Sequence, residues 1–341
     1  MDNNSFDSNI NNLKLLKELT KDSYADILLD NTFVIFKSIN ELIYLVYSNE
    51  DKSIISYSII ENKKINEIIN AHENYITNFR YLLDKIYKRD LILTISASDN
   101  NVKLWNINNY ECLLNLKDIN QRGEINTACF LTDNNQNYII TSNYSFFNEP
   151  IRVFDINGKK IKEINDSNHR TIFIDTYYDE QSSKIFIITA NQGFVASYDY
   201  YDNKLNHKYV DENNKSGHCS IIINSSEKKD NNEKIITLIE SCDDGYIRIW
   251  NFHSGEILKR IKVQDKYIYG ICLWDNDILF VGGGNKNLNI VDLNEEKIIR
   301  NLDGHNDDVL TIKTIIHPKY GKCLITQGNG EDQIKMWTIQ K

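Results

Sequence analysis

Seven histidines and six cysteines are the residues of this 341-residue chain best suited to metal binding or nucleophilic chemistry, and their spacing decides whether they do it. Cys112, Cys129, Cys219, Cys242, Cys272 and Cys323 form no C-x-x-C pair, which argues against a zinc site or a disulfide framework and fits buried, reduced thiols. His169, His207, His253 and His317 stand at no metal-ligand spacing. The run VGGGNKN at 281–287 has the glycine content of a phosphate loop. A phosphate loop opens a helix, whereas this run opens a strand-like stretch, so it reads as a glycine-permitted turn. None of the patterns G-x-x-x-x-G-K-[ST], H-E-x-x-H or G-x-S-x-G occurs. The residues thus predict no catalytic group, no metal and no cofactor.

The other histidines belong to a pattern. His72, His218 and His305 precede Trp105, Trp250 and Trp337 by 33, 32 and 32 residues. Those tryptophans close the tetrads VKLW, IRIW and IKMW, and weaker copies are IISY, IRVF, VASY and LNIV. The seven tetrads end at 57, 105, 154, 198, 250, 291 and 337, a period near 46 residues, that of one four-stranded blade. Around each tetrad the same order recurs: apolar run, loop, apolar run, tight turn, tetrad, turn and a further short strand. In the fifth unit Ile247 and Ile249 point to one face and Tyr246 and Trp250 to the other. A sheet apolar on both faces must be stacked between two others, so the expected fold is all-β, a seven-bladed β-propeller.

The last tetrad strand, Ile334 to Ile339, has no outer partner after it, because the chain stops at Lys341. The stretch NLKLLKELTKD, with Leu13, Leu15, Leu16 and Leu19, copies the outer-strand pattern. Residues 13–21 are therefore predicted to complete the last blade and close the ring, removing two sheet edges; the alternative is a short amphipathic helix, since Leu, Lys and Glu are good helix formers. The organisation that follows is a polar tail at 1–12 and one propeller domain at 13–341.

GHNDDV at 304–309, GHCSI at 217–221 and AHENYI at 71–76, each ahead of a tryptophan, resemble the WD40-repeat family, whose signature is a Gly-His pair before the first strand and a Trp-Asp pair closing the third. The Asp is displaced: Asn106, Asn251 and Thr338 follow the tryptophans, while Asp155, Asp199 and Asp292 follow a Phe, a Tyr and a Val. The resemblance implies structural hydrogen-bonded networks joining His72, Asp99 and Trp105, His218, Asp244 and Trp250, and His305 and Trp337, with a second-strand hydroxyl such as Thr237 taking part. It also implies a non-catalytic scaffold for protein or peptide partners, engaged through the rim that carries the loops preceding each first strand. On that rim the insertion YSFFNE would place Tyr144, Phe146 and Phe147, either as interface anchors or folded back over apolar surface. Tyr75, Glu124, Arg170 and Tyr267 are further candidates. The competing reading, an enzyme or small-ligand binder using the central channel, requires convergent charged residues on the inner strands, and the runs ITNFRYL, INTACFL, YIYGICLW and VLTIKTII are mostly apolar.

A formal charge of -9 speaks against nucleic acid or an anionic membrane as partner. No apolar run reaches membrane-spanning length, and the polar, acidic start MDNNSFDSNI is no signal peptide. The expectation is a cytoplasmic protein, the nucleus remaining open, that is a monomer or a subunit of a larger complex.

Overall fold

The β-branched and aromatic runs spaced by Asn, Asp and Gly turns fold as period-two strands. The structure, a computed structural model, describes residues 10, 12–25, 30–96, 98–117, 124–144, 149–165, 170–212, 216–227, 234–330 and 333–339. These form twenty-eight strands in seven four-stranded antiparallel sheets. Blades one to six span 33–68, 78–117, 124–164, 171–209, 218–262 and 268–302, and blade seven joins 309–339 to 13–18. Each innermost strand touches those of the blades before and after it, the last returning to the first, so the sheets close into a ring.

Every tetrad is the third strand of its blade: Ile54–Ser58, Asn101–Asn106, Ile151–Asp155, Phe194–Asp199, Tyr246–Asn251, Leu288–Asp292 and Ile334–Ile339. The two-faced alternation has the consequence expected of it. Ile247 and Ile249 pack with Ile268 and Val281 of blade six, whereas Trp250 packs with Phe186 and Tyr209 of blade four. The ring is held by one such apolar core between each pair of neighbours.

The residue after the tetrad has a local task that explains the displaced Asp. Its side-chain oxygen accepts backbone N–H groups of the turn that follows: Asp155 from Asn157 and Lys159, Asp292 from Asn294 and Glu295, Asn251 from His253 and Ser254, and Asn106 from Asn108. An Asn oxygen serves the turn as well as a carboxylate does.

Residues Leu13–Glu18 form a strand, not a helix, and pair antiparallel with Ile334–Ile339. The pairing copies even the irregularity of the other blades. In blade five the outer strand bulges opposite Ile249 and Trp250, which face Lys259 and Ile257. In blade seven it bulges opposite Met336 and Trp337, which face Lys17 and Leu15. A bulge adds twist at the outer edge of each blade. Leu13 is fully buried between blades six and seven, and Leu19 lies in the core shared with blade one.

Between this strand and blade one the chain turns inward to the axis. Ala25 packs on Cys219, Tyr269 and Leu310 of blades five, six and seven. Asp30 accepts the Ser220 hydroxyl at 2.8 Å on one carboxylate oxygen, and its backbone carbonyl accepts Asn78 Nδ2 at 3.0 Å. Ala25 and Asp30 thus lie at the channel mouth on the loop rim.

Candidate functional site

The histidine–tryptophan pairs meet through a residue that spacing alone did not single out. In blade two the Thr94 hydroxyl, on the second strand Arg89–Ser96, lies 2.8 Å from His72 Nε2 and accepts Trp105 Nε1–H at 2.8 Å. In blade seven Thr326 does the same for His305 and Trp337, again at 2.8 Å on each side. Thr lies eleven residues before Trp in both blades, the signal that could have found it. With the ring proton on Nδ1, 3.7 Å from Asp99 Oδ2, His72 Nε2 accepts the Thr94 O–H while Thr94 accepts the indole N–H. Burial, helped by the nearby Lys103 charge, pushes the His72 pKa down to about 3, so the imidazole is neutral. Asp99 accepts the backbone N–H groups of Glu73 and Asn74 at 2.9 and 3.0 Å and Asn74 Nδ2 at 2.8 Å. Burial disfavours its charge, but these bonds prevail and hold the carboxyl below its usual range.

The basic residue inside the tetrad completes the arrangement. Lys103 donates to the Ala71 carbonyl at 2.5 Å and Lys335 to the Gly304 carbonyl at 2.6 Å, tying the preceding loop to the third strand. Gly304 is required there: its φ is +148°, and a Cβ would meet Trp337 Cη2 at 2.7 Å. In chemical terms these networks position loops, with the threonine hydroxyl, the indole N–H and the lysine ammonium each donating to an internal acceptor.

Blade five departs from the expected His218, Asp244 and Trp250 chain. Thr237 bonds the Asn224 carbonyl, and the position matching Thr94 is held by Glu240, which faces Arg248 across the strands as Thr94 faces Lys103. A fully buried carboxylate there attracts cations and leaves the indole aside. Glu240 Oε2 is 2.5 Å from His218 Nδ1, and Glu240 Oε1 is 3.9 Å from Arg248 Nε. Arg248, 2% exposed, donates to Asp211 at 2.9 Å and to Asp244 at 2.5 Å, and Arg260 donates to Asp211 at 2.9 Å from the other side. Burial opposes the Arg248 charge, but the carboxylates around it raise its pKa further. Among the described residues Trp250 Nε1 meets no acceptor. Replacing Trp105 by Phe should therefore cost about 1–2 kcal/mol more than replacing Trp250 by Phe, because only the former breaks a made hydrogen bond. Denaturant midpoints of the two variants compare them, and equal losses would contradict the assignment.

The rim candidates are spread around the ring. Tyr75 is 38% exposed and its ring lies 4.7 Å from that of Tyr24, tilted by 31°; Tyr267 is 51% exposed, 5.9 Å from the ring of Tyr269. Both lie in loops joining an outer strand to the next inner strand, so antiparallel topology puts them on one rim. Arg170, half-buried in another such loop, accepts the Gln192 N–H on its carbonyl. Tyr144 is the last residue of the strand Gln136–Tyr144 and pairs with Glu124 across the sheet, not part of an inserted loop as expected; pairing carries the second strand of blade three further than its apolar run. The side chains of Tyr144 and Glu124, and all of Phe146 and Phe147, lie outside the described residues. No group of His, Cys, Asp and Glu among the described residues is arranged to hold a metal ion, and no helix among them is long and apolar enough to cross a membrane.

The chain matches no protein-family model, and no curated protein matches it either.

Proposed function

We propose that this seven-bladed propeller is a non-catalytic, cytoplasmic scaffold of the WD40-repeat type, which binds protein or peptide partners on the rim carrying Tyr75 and Tyr267. The observation that carries the reading is the pair of exposed tyrosines, each braced by a second tyrosine ring on a rigid ring of sheets. Large aromatic groups held in place by their neighbours anchor interfaces at little entropic cost. The recurrence of the His–Thr–Trp network in blades two and seven supports the family assignment.

Two double variants test it. Tyr75→Ala with Tyr267→Ala should abolish a stably co-purifying partner while leaving the melting temperature near wild type. Tyr87→Ala with Tyr178→Ala, at exposed positions on the opposite rim, should retain that partner. Retention by the first pair, or equal loss from both, sinks the assignment of this rim.

A further inference from the structure

The axis of the ring encloses a cavity of about 370 Å³, within the range of small-ligand sites, roughly 300–1,000 Å³. Contrary to the apolar character of the inner-strand runs, its wall carries Arg80, Lys313, Asp30 and Asp175. Two of these are satisfied internally. Asp30, 3% exposed, accepts the Ser220 hydroxyl and the Asn31 N–H, and Lys313 Nζ lies 3.6 Å from it.

The other two charges are held without being neutralised. Arg80 reaches across three blades: Nε donates to the Ala128 carbonyl at 3.2 Å, Nη2 to the Ile174 carbonyl at 3.0 Å, and the guanidinium lies 4.7 Å from the Phe173 ring centroid. Neutral carbonyls and an aromatic face fix its orientation and leave its charge unpaired; among the described residues no carboxylate forms an ion pair with it. Asp175 takes the Thr176 N–H at 2.8 Å and likewise has no ion-pair partner among the described residues.

From these groups we infer that the channel cavity binds a small zwitterion of the free α-amino-acid class, its carboxylate on Arg80 and its ammonium on Asp175. A plain anion would enter beside Asp30 and Asp175, and a plain cation beside Arg80 and Lys313. A molecule carrying both charges complements the wall. The site is independent of the rim and of its partner.

Calorimetric titration of the purified full chain with each of the twenty L-amino acids, and with acetate and methylammonium as half-ligands, tests the assignment. At least one amino acid should bind saturably at one site per chain, with neither half-ligand matching it. Asp175→Asn and Arg80→Lys should each weaken that binding by about 10–100-fold, the loss of one charge-assisted contact. Asp175 is exposed and Asn keeps the acceptor for Thr176, so the unliganded melting temperature of Asp175→Asn should stay unchanged. No saturable heat from any amino acid overturns the proposal, as does unaltered affinity in both variants or acetate binding as tightly as the amino acid.

Discussion

Removal of residues 1–20 should turn the protein into a self-associating species with a markedly lower melting temperature. The strand Leu13–Glu18 covers the edge of Ile334–Ile339 through five antiparallel pairs and one bulge. The contact continues past the strand, with Leu19 N–H donating to the Ile334 carbonyl and Ile334 N–H donating to Thr20 Oγ1 at 2.8 Å. Ile10, Leu13 and Leu19 would all leave buried sites, and each such side chain is worth about 1.5–3 kcal/mol. That is a large fraction of a typical net stability of about 5–15 kcal/mol. The bared edge, backed by Trp337 and Met336, would then template pairing with another chain. Light scattering and calorimetry read the two effects. A monodisperse monomer melting at the wild-type temperature would mean that the ring does not depend on this strand.

Arg248→Ala should be among the most damaging point changes, costing about 3–5 kcal/mol, because it leaves buried carboxylates facing one another without their cation. Asp211, Asp244 and Glu240 all approach Arg248, and among the described residues only Asp211 has a second arginine, Arg260. Lys103→Ala in blade two removes one bond to a carbonyl, and should cost nearer 1 kcal/mol. Glu240→Thr combined with Arg248→Lys gives blade five the pair found in blades two and seven and supplies a hydroxyl for Trp250; it should lie closer to wild type than Arg248→Ala. The pH dependence has a defined sign. Burial would raise the Asp244 carboxyl, but the Arg248 bonds hold it below its usual range. Its contribution is therefore present at neutral pH and is lost as the pH falls below about 4 and through the lowered folded value. That acid limb should flatten in Arg248→Ala. Chemical denaturation at pH 7 and pH 3 decides these points, and similar midpoints for Arg248→Ala and Lys103→Ala would reject the buried cluster as a stabilising unit.

Blade five shows where reading by repeat reaches its limit. The tetrad IRIW and the preceding GH mark its strands correctly, yet the partner expected for its tryptophan, Thr237, points elsewhere. Thr94 and Thr326 stand eleven residues before their tryptophans, but Glu240 stands ten before Trp250. The turn there is one residue shorter, so a count of eleven lands on Ile239, whereas the residue that faces the tetrad's basic member, as Thr94 faces Lys103, is Glu240. Likewise the resemblance implied the histidines, whereas Lys103, Lys335 and Arg248 were visible only as the basic second member of a tetrad, their targets being loop carbonyls or carboxylates that no local pattern marks.

What the sequence determined by itself was everything carried by the repeat. Apolar residues on both faces of each tetrad require neighbours on both sides, so the number of tetrads sets the number of blades, and the orphan leucine strand at the start matches the unpartnered tryptophan strand at the end. These contacts are between adjacent strands or adjacent blades, and alternation of period two encodes them locally. The axis is different. Asp30 meets Ser220 190 residues away, and Arg80 reaches Ala128 and Ile174 in the next two blades. Each of these charges stands alone within an apolar run, and nothing in the run says what it will face. Only closure of the ring brings seven inner strands to a common centre, and with them the cations and carboxylates that make the channel a polar cavity.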